Sequence, residues 1–118
     1  FLPLVVMSPI GGLIADRMAK GIRILREKSQ APILLVEHDG YMGYRVSDAE
    51  RSRFEKTNEQ LRLCYQELKQ KVDGLYYMTF EELGLSMDSQ VDGVHATDLG
   101  MFQYAEAYSR KIAKILFP

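Results

Sequence analysis

"ILLVE", residues 33–37, decides how the rest of the chain is read. Four large apolar residues follow one another without alternation. A strand with one wet face alternates apolar and polar residues, whereas a strand covered on both faces reads as a continuous apolar run. Two more runs have the same character, "LVVM" at 4–7 and "LYYM" at 75–78. The gaps between the three are long, and they carry helical periodicity. Leu13, Ile14, Met18, Ile22 and Leu25 form one stripe. Ser47 with Glu50 has the S-x-x-E spacing of a capping box, and Phe54, Asn58, Leu61, Tyr65 and Leu68 then recur on one helical face. "TFEELG" at 79–84 reads as a single helical turn, with Thr79 and Glu82 as a second capping box and Gly84 as the stop. Thr97 is placed to cap a last helix whose core face would be Leu99, Phe102, Ala105, Tyr108, Ile112 and Ile115.

The order is therefore β-α-β-α-β-α. Gaps of this length permit right-handed crossovers, so a parallel sheet with helices on both faces is expected: an α/β fold in three layers, α/β/α. The 118 residues are read as one domain, 1–118. Three strands are few beside the roughly 5–6 of a typical sheet, so the domain is expected to be incomplete. The opening "FLPLVVM" starts within a strand-like run, and it lacks the basic stretch and cleavage site of a signal peptide.

Apolar residues make up 47% of the chain and charged residues 26%, a globular balance, and the net charge is −1. Lysine and arginine are scattered rather than gathered in a stripe, which argues against a nucleic-acid partner. No apolar run approaches the roughly 20 residues of a membrane span. Cys64 is the only cysteine, so neither an intrachain disulfide nor a cysteine zinc cluster is expected.

Ligands of open parallel sheets bind beyond the carboxyl ends of the strands. Here those ends lead into "SPIGG" (8–12), "EHDGYMGY" (37–44) and "LSMDSQVDGVHATD" (85–98). Glu37, His38, Asp39, Tyr41, Asp88, Asp92 and His95 are thus candidates for one polar site. The sharpest pattern is Asp92-Gly93-Val94-His95. A hydrolytic histidine takes a proton from a nucleophile and later delivers it to the leaving group. It needs a carboxylate on its other nitrogen to fix tautomer and orientation. The D-x-x-H spacing can supply both from one turn, and it places the carboxylate within about 2.6–3.2 Å of the ring. The same residues would also serve as an ordinary Asp-Gly turn before a capped helix.

His38 and Tyr41 are candidates for substrate contact. Tyr41 and Tyr44, flanking Gly43, could form an aromatic rim for a sugar or acyl group, or simply cover the sheet edge. Carboxylates and imidazoles together also fit a zinc or manganese site, but neighbouring strand residues such as Glu37 and His38 point to opposite faces. No cofactor is expected. Ser8 stands at a strand end, but Pro9 follows it and has no N–H to offer an oxyanion, so Ser8 reads as a turn entry.

"VDGVHATDLGMFQYAEAY" resembles the C-terminal block of SGNH/GDSL hydrolases, in particular a bacterial branch with a D-G-x-H-x-T-D-x-G pattern. "APILLVEH" is similar to that family's penultimate strand. The resemblance implies the later part of a flavodoxin-like domain. It also implies an esterase using Ser, His and Asp, with Asp92 as the triad acid and His95 as the base. The family's serine sits in a G-D-S block, and none occurs here. Its oxyanion asparagine would fall near Pro9, where Ile10 stands, and the chain's sole asparagine is Asn58. The expected function is thus the C-terminal portion of an ester hydrolase acting on a small ester, such as an acetylated carbohydrate. The isolated chain is expected to be inactive and to self-associate through the edge strand at 4–7. Rival readings are a noncatalytic α/β binding module and a metal-dependent hydrolase.

Overall fold

The computed structural model describes residues 4–7 and 15–118. Ser8, Ile10, Leu13 and Ile14 lie outside them. The elements run in the expected order: β1 (Val5–Met7), α1 (Ala15–Lys28), β2 (Ile33–Val36), α2 (Asp48–Leu68), β3 (Leu75–Met78), the one-turn α3 (Phe80–Leu83) and α4 (Asp98–Leu116). Short 3-10 turns at Met42–Arg45 and Met87–Ser89 interrupt the two long loops. No described helix is long and apolar enough to cross a membrane.

The three strands form a parallel sheet in the order β1-β2-β3. The central strand is buried at all four positions, which is what its continuous apolar run requires. β1 lies at an edge, and Val6 is exposed there.

The chain divides into two compact units. One comprises the described residues up to His38 with Lys56–Met78, the other Asp39–Glu55 with Thr79–Pro118. In the first, α1 and α2 pack on the sheet through Met18, Ile22, Leu61, Cys64 and Leu68 against Ile33, Leu35 and Leu75. Arg26 closes the rim of this unit. Its guanidinium donates to the carbonyls of Ser29 and Ala31, both at 2.9 Å, tying the end of α1 to the approach of β2. Asn58 is buried on the inner face of α2. Its amide accepts from the His38 backbone N–H (2.6 Å) and donates to the His38 carbonyl (3.1 Å), holding the chain where it leaves β2.

In the second unit, the caps expected at Thr79 and Thr97 are formed, and at the start of α2 the Ser47 hydroxyl accepts from Glu50 N–H at 3.4 Å. Thr79 and Glu82 make the reciprocal capping box, and Gly84 ends α3 in the left-handed region at φ 64. The Thr97 hydroxyl accepts from Gly100 N–H at 3.1 Å. The buried face of α4 differs from the expected one. Tyr108, Ile112 and Ile115 do face inward in whole or part, but Leu99, Phe102 and Ala105 are exposed. The buried stripe runs instead through Gly100, Gln103, Tyr104, Ala107, Tyr108, Lys111, Ile112 and Ile115, a regular three–four spacing. Three of its polar members have partners. Gln103 bonds Ser86, the Tyr104 hydroxyl donates to the Asp39 carboxylate, and Lys111 pairs with Glu82 at 2.9 Å.

Candidate active site

The D-x-x-H turn belongs to the second unit and is built between Ser89 and Thr97. Gln90 pairs with Ala96 as an antiparallel bridge, and Val91 N–H donates to the His95 carbonyl at 2.8 Å. The chain must reverse within the intervening residues. Gly93 supplies the reversal at φ +85, a conformation that costs a side-chain-bearing residue about 1–2 kcal/mol. Asp92 closes the turn from inside. Its Oδ1 accepts the backbone N–H groups of Val94 (2.9 Å) and His95 (2.8 Å). Its Oδ2 lies 2.6 Å from His95 Nδ1. The distance expected from the spacing alone is therefore present. One carboxylate shapes the turn with one oxygen and meets the ring with the other. The His95 backbone N–H, then the His95 ring, then the Val94 N–H hold the Asp92 carboxyl well below the usual carboxylate range. The pair stands in the open, with 78% of the His95 side chain and 53% of Asp92 exposed.

Behind the turn lies a rigid base. Thr97 N–H donates to the Ser89 carbonyl at 2.8 Å, and the Thr97 hydroxyl donates to the Asp88 carbonyl at 2.7 Å. Gly100 packs so closely on Ser89 that a Cβ at residue 100 would stand 2.1 Å from the Ser89 carbonyl oxygen. A side chain there would push the turn off the end of α4.

The other candidates are placed as follows. Asp39 accepts from Tyr104. Tyr41 is half-buried, its ring edge-on to Phe54 at 6.3 Å and under the Arg53 guanidinium at 4.6 Å. Phe54 in turn contacts Tyr44 and Phe80, so the loop after β2 rests on an aromatic cluster. Asp88 is exposed. In the first unit, His38 is half-buried and held by Asn58 through its backbone. Glu37 does not behave as a site-lining carboxylate. It is 1% exposed, paired with Arg62 at 2.7 Å, and accepts from the Tyr77 hydroxyl at 2.6 Å. Burial first, and then this bond, push the Tyr77 hydroxyl well above its ordinary pKa. The strand end buries Glu37, so it needs partners, and those partners use it up. No three His, Cys, Asp or Glu side chains gather as a metal cluster among the described residues.

Sequence reasoning missed Gln90. It is 8% exposed, accepts from Met42 N–H at 3.0 Å and donates to the Gly40 carbonyl at 3.2 Å. Its partners are backbone groups some fifty residues away, which no local pattern announces.

The chain thus carries a parallel α/β sheet and, in the turn before its last helix, an exposed Asp–His pair. The model of the GDSL-like lipase/acylhydrolase family matches residues 10–113, and the chain belongs to that family. The crystal structure of a GDSL-like lipase candidate from Bacteroides ovatus ATCC 8483 is similar, with a TM-score of 0.77 at 28% identity. That match covers 86% of this chain and 31% of the Bacteroides chain, so the protein spans about a third of the length of that relative. No curated protein matches the chain.

Proposed function

We propose that this chain carries the acid–base half of a serine esterase site, with His95 as general base and Asp92 as the carboxylate that orients it. The observation behind this reading is the 2.6 Å approach of Asp92 Oδ2 to His95 Nδ1 on a ring open to solvent. An ionised carboxylate at that distance draws the imidazole proton to Nδ1 and leaves Nε2 as the bare nitrogen. Nε2 would take the proton of a serine hydroxyl as its oxygen attacks the ester carbonyl. The same proton then passes to the departing alkoxide, and water repeats the cycle on the acyl-enzyme. The serine we propose lies outside these 118 residues, since no G-D-S occurs among them. The substrate we propose is a small ester such as an acetylated carbohydrate, with Tyr41 contributing a contact from the loop that follows β2.

The test is p-nitrophenyl acetate hydrolysis by the 118-residue chain and by a longer product of the same reading frame that includes a G-D-S block. The short chain should not exceed background. The longer one should turn over, lose activity with His95→Ala, and fall on the order of 10⁴-fold with Asp92→Asn, which favours the wrong tautomer. A longer product indifferent to His95→Ala would refute the reading. Robust turnover by the short chain, lost with both His95→Ala and Ser8→Ala, would make Ser8 the nucleophile and refute the placement of the serine.

A further inference from the structure

We infer that Gln90 is a positioning residue that locks the Asp92–His95 turn to the loop carrying Tyr41, so that the base and this loop hold one fixed relation. The inference rests on the reading of Asp92 and His95 as an acid–base pair, and it adds a residue which that reading does not require. Gln90 occupies the neck of the turn. Its backbone pairs with Ala96, and the next residue, Val91, donates to the His95 carbonyl, so any movement of Gln90 is passed to both ends of the turn. Its side chain leaves the turn altogether. Oε1 accepts from Met42 N–H and Nε2 donates to the Gly40 carbonyl, one bond on each side of Tyr41. Both bonds are buried, where a competing water cannot substitute for them at low cost.

The geometry makes this more than packing. A primary amide is the side chain that offers an acceptor and a donor on one planar head, and here it meets an N–H and a C=O two residues apart. From the other side, Tyr104 of α4 donates to Asp39, while α4 holds Ser89 through Gly100 and Thr97. The loop is thus tied once to the helix and once to the turn, and the turn is tied to the same helix. Such a closed circuit fixes orientation in a way that an exposed Asp–His pair cannot achieve by burial. A misplacement of about 1 Å in a catalytic group can cost on the order of 10²-fold in rate.

The experiment uses the full 118-residue chain labelled with ¹⁵N. It reads the two ring-nitrogen signals of His95 and the hydrogen exchange of Met42 N–H at neutral pH. The samples are wild type, Gln90→Ala, Gln90→Met and Asp92→Asn. Gln90→Met keeps the length and much of the volume of the side chain while removing both bonds. Both Gln90 variants should speed Met42 exchange by about tenfold or more. They should also move the His95 ring signals part of the way to their Asp92→Asn positions. Wild-type His95 signals in Gln90→Met, whether Met42 exchange rises or not, would overturn the inference. Should Gln90→Ala fail to fold, Gln90→Met alone decides. If Asp92→Asn itself leaves the His95 signals in place, Asp92 does not orient the ring. The acid–base reading then falls, and the inference with it. A shift with Asp92→Asn but none with the Gln90 variants removes only the role of Gln90.

Discussion

Replacing Gly100 by alanine sets two effects against each other, and the structure says which should win. Gly100 lies in the first turn of α4, where alanine is the better helix former by at most about 1 kcal/mol. Against that gain, the new Cβ would sit 2.1 Å from the Ser89 carbonyl oxygen and 2.9 Å from its carbon. Both are backbone atoms, so no flexible side chain can swing away. Relief requires about 1 Å of movement between α4 and the Ser89–Gln90 segment, and overpacking of this kind costs about 1–3 kcal/mol. The same movement strains the 2.8 Å bond from Thr97 N–H to that carbonyl, worth about 1 kcal/mol. We expect a net loss of about 2 kcal/mol, seen as a lower urea midpoint and a Tm lower by roughly 6–10 °C. Ala105→Gly, at an exposed position in the middle of the same helix, calibrates the propensity effect and should cost about 1 kcal/mol. The His95 ring signals should shift in Gly100→Ala and not in Ala105→Gly. A Gly100→Ala protein as stable as wild type, with unchanged His95 signals, would show that α4 does not brace the turn.

Thr97→Val keeps the side-chain shape but removes the cap on Gly100 N–H and the bond to the Asp88 carbonyl, so urea unfolding should show a loss of about 1–2 kcal/mol. Tyr77→Phe takes a hydroxyl from the buried Glu37 carboxylate and should cost about 1–2 kcal/mol by the same measure; an unchanged midpoint would mean that Arg62 satisfies Glu37 without it. Because folding depresses the Asp92 pKa, its contribution is present above the unfolded carboxylate value and is lost as pH falls through the folded one. The margin of wild type over Asp92→Ala in thermal melts should therefore be steady at neutral pH and shrink steadily below about pH 4. Val6→Lys on the edge strand should lower any self-association seen by sedimentation, since a charge there opposes strand-to-strand pairing.

The central strand was legible because burial on both faces writes a continuous apolar run, and "ILLV" is buried throughout, whereas Val6 of β1 and Tyr76 of β3 are exposed although their runs read the same way. The caps at Thr79 and Thr97 were legible because a side chain bonding an N–H three residues on is a local event. The D-x-x-H geometry was legible for the same reason, since all of its bonds close within three residues. The α4 face was misread because an apolar stripe was equated with the inside. Gln103, Tyr104 and Lys111 lie inward because Ser86, Asp39 and Glu82 receive their polar ends, while Leu99 and Phe102 stand outward. The partners of Glu37, Asn58 and Gln90 escaped for one shared reason. Each of these three is a buried polar residue whose partners lie 20 to 50 residues away, and distance in sequence hides that kind of compensation.

The block from Asp92 to Gly100 can now be read as a set of physical requirements rather than as a signature. Asp92 is needed for both of its oxygens, one for the turn and one for the ring. Gly93 is needed for its backbone angle. Thr97 is needed for a hydroxyl that both donates to Asp88 and accepts from Gly100. Gly100 is needed for the absence of a side chain against Ser89. None of these requirements involves burying the histidine. An exposed imidazole has no packing to hold it, so its orientation has to come from hydrogen bonds and from the backbone beneath them. That is why so many constrained positions crowd around one open ring, and why changes at Gly100 or Gln90, which do not touch His95 with their side chains, should still be read at its nitrogens.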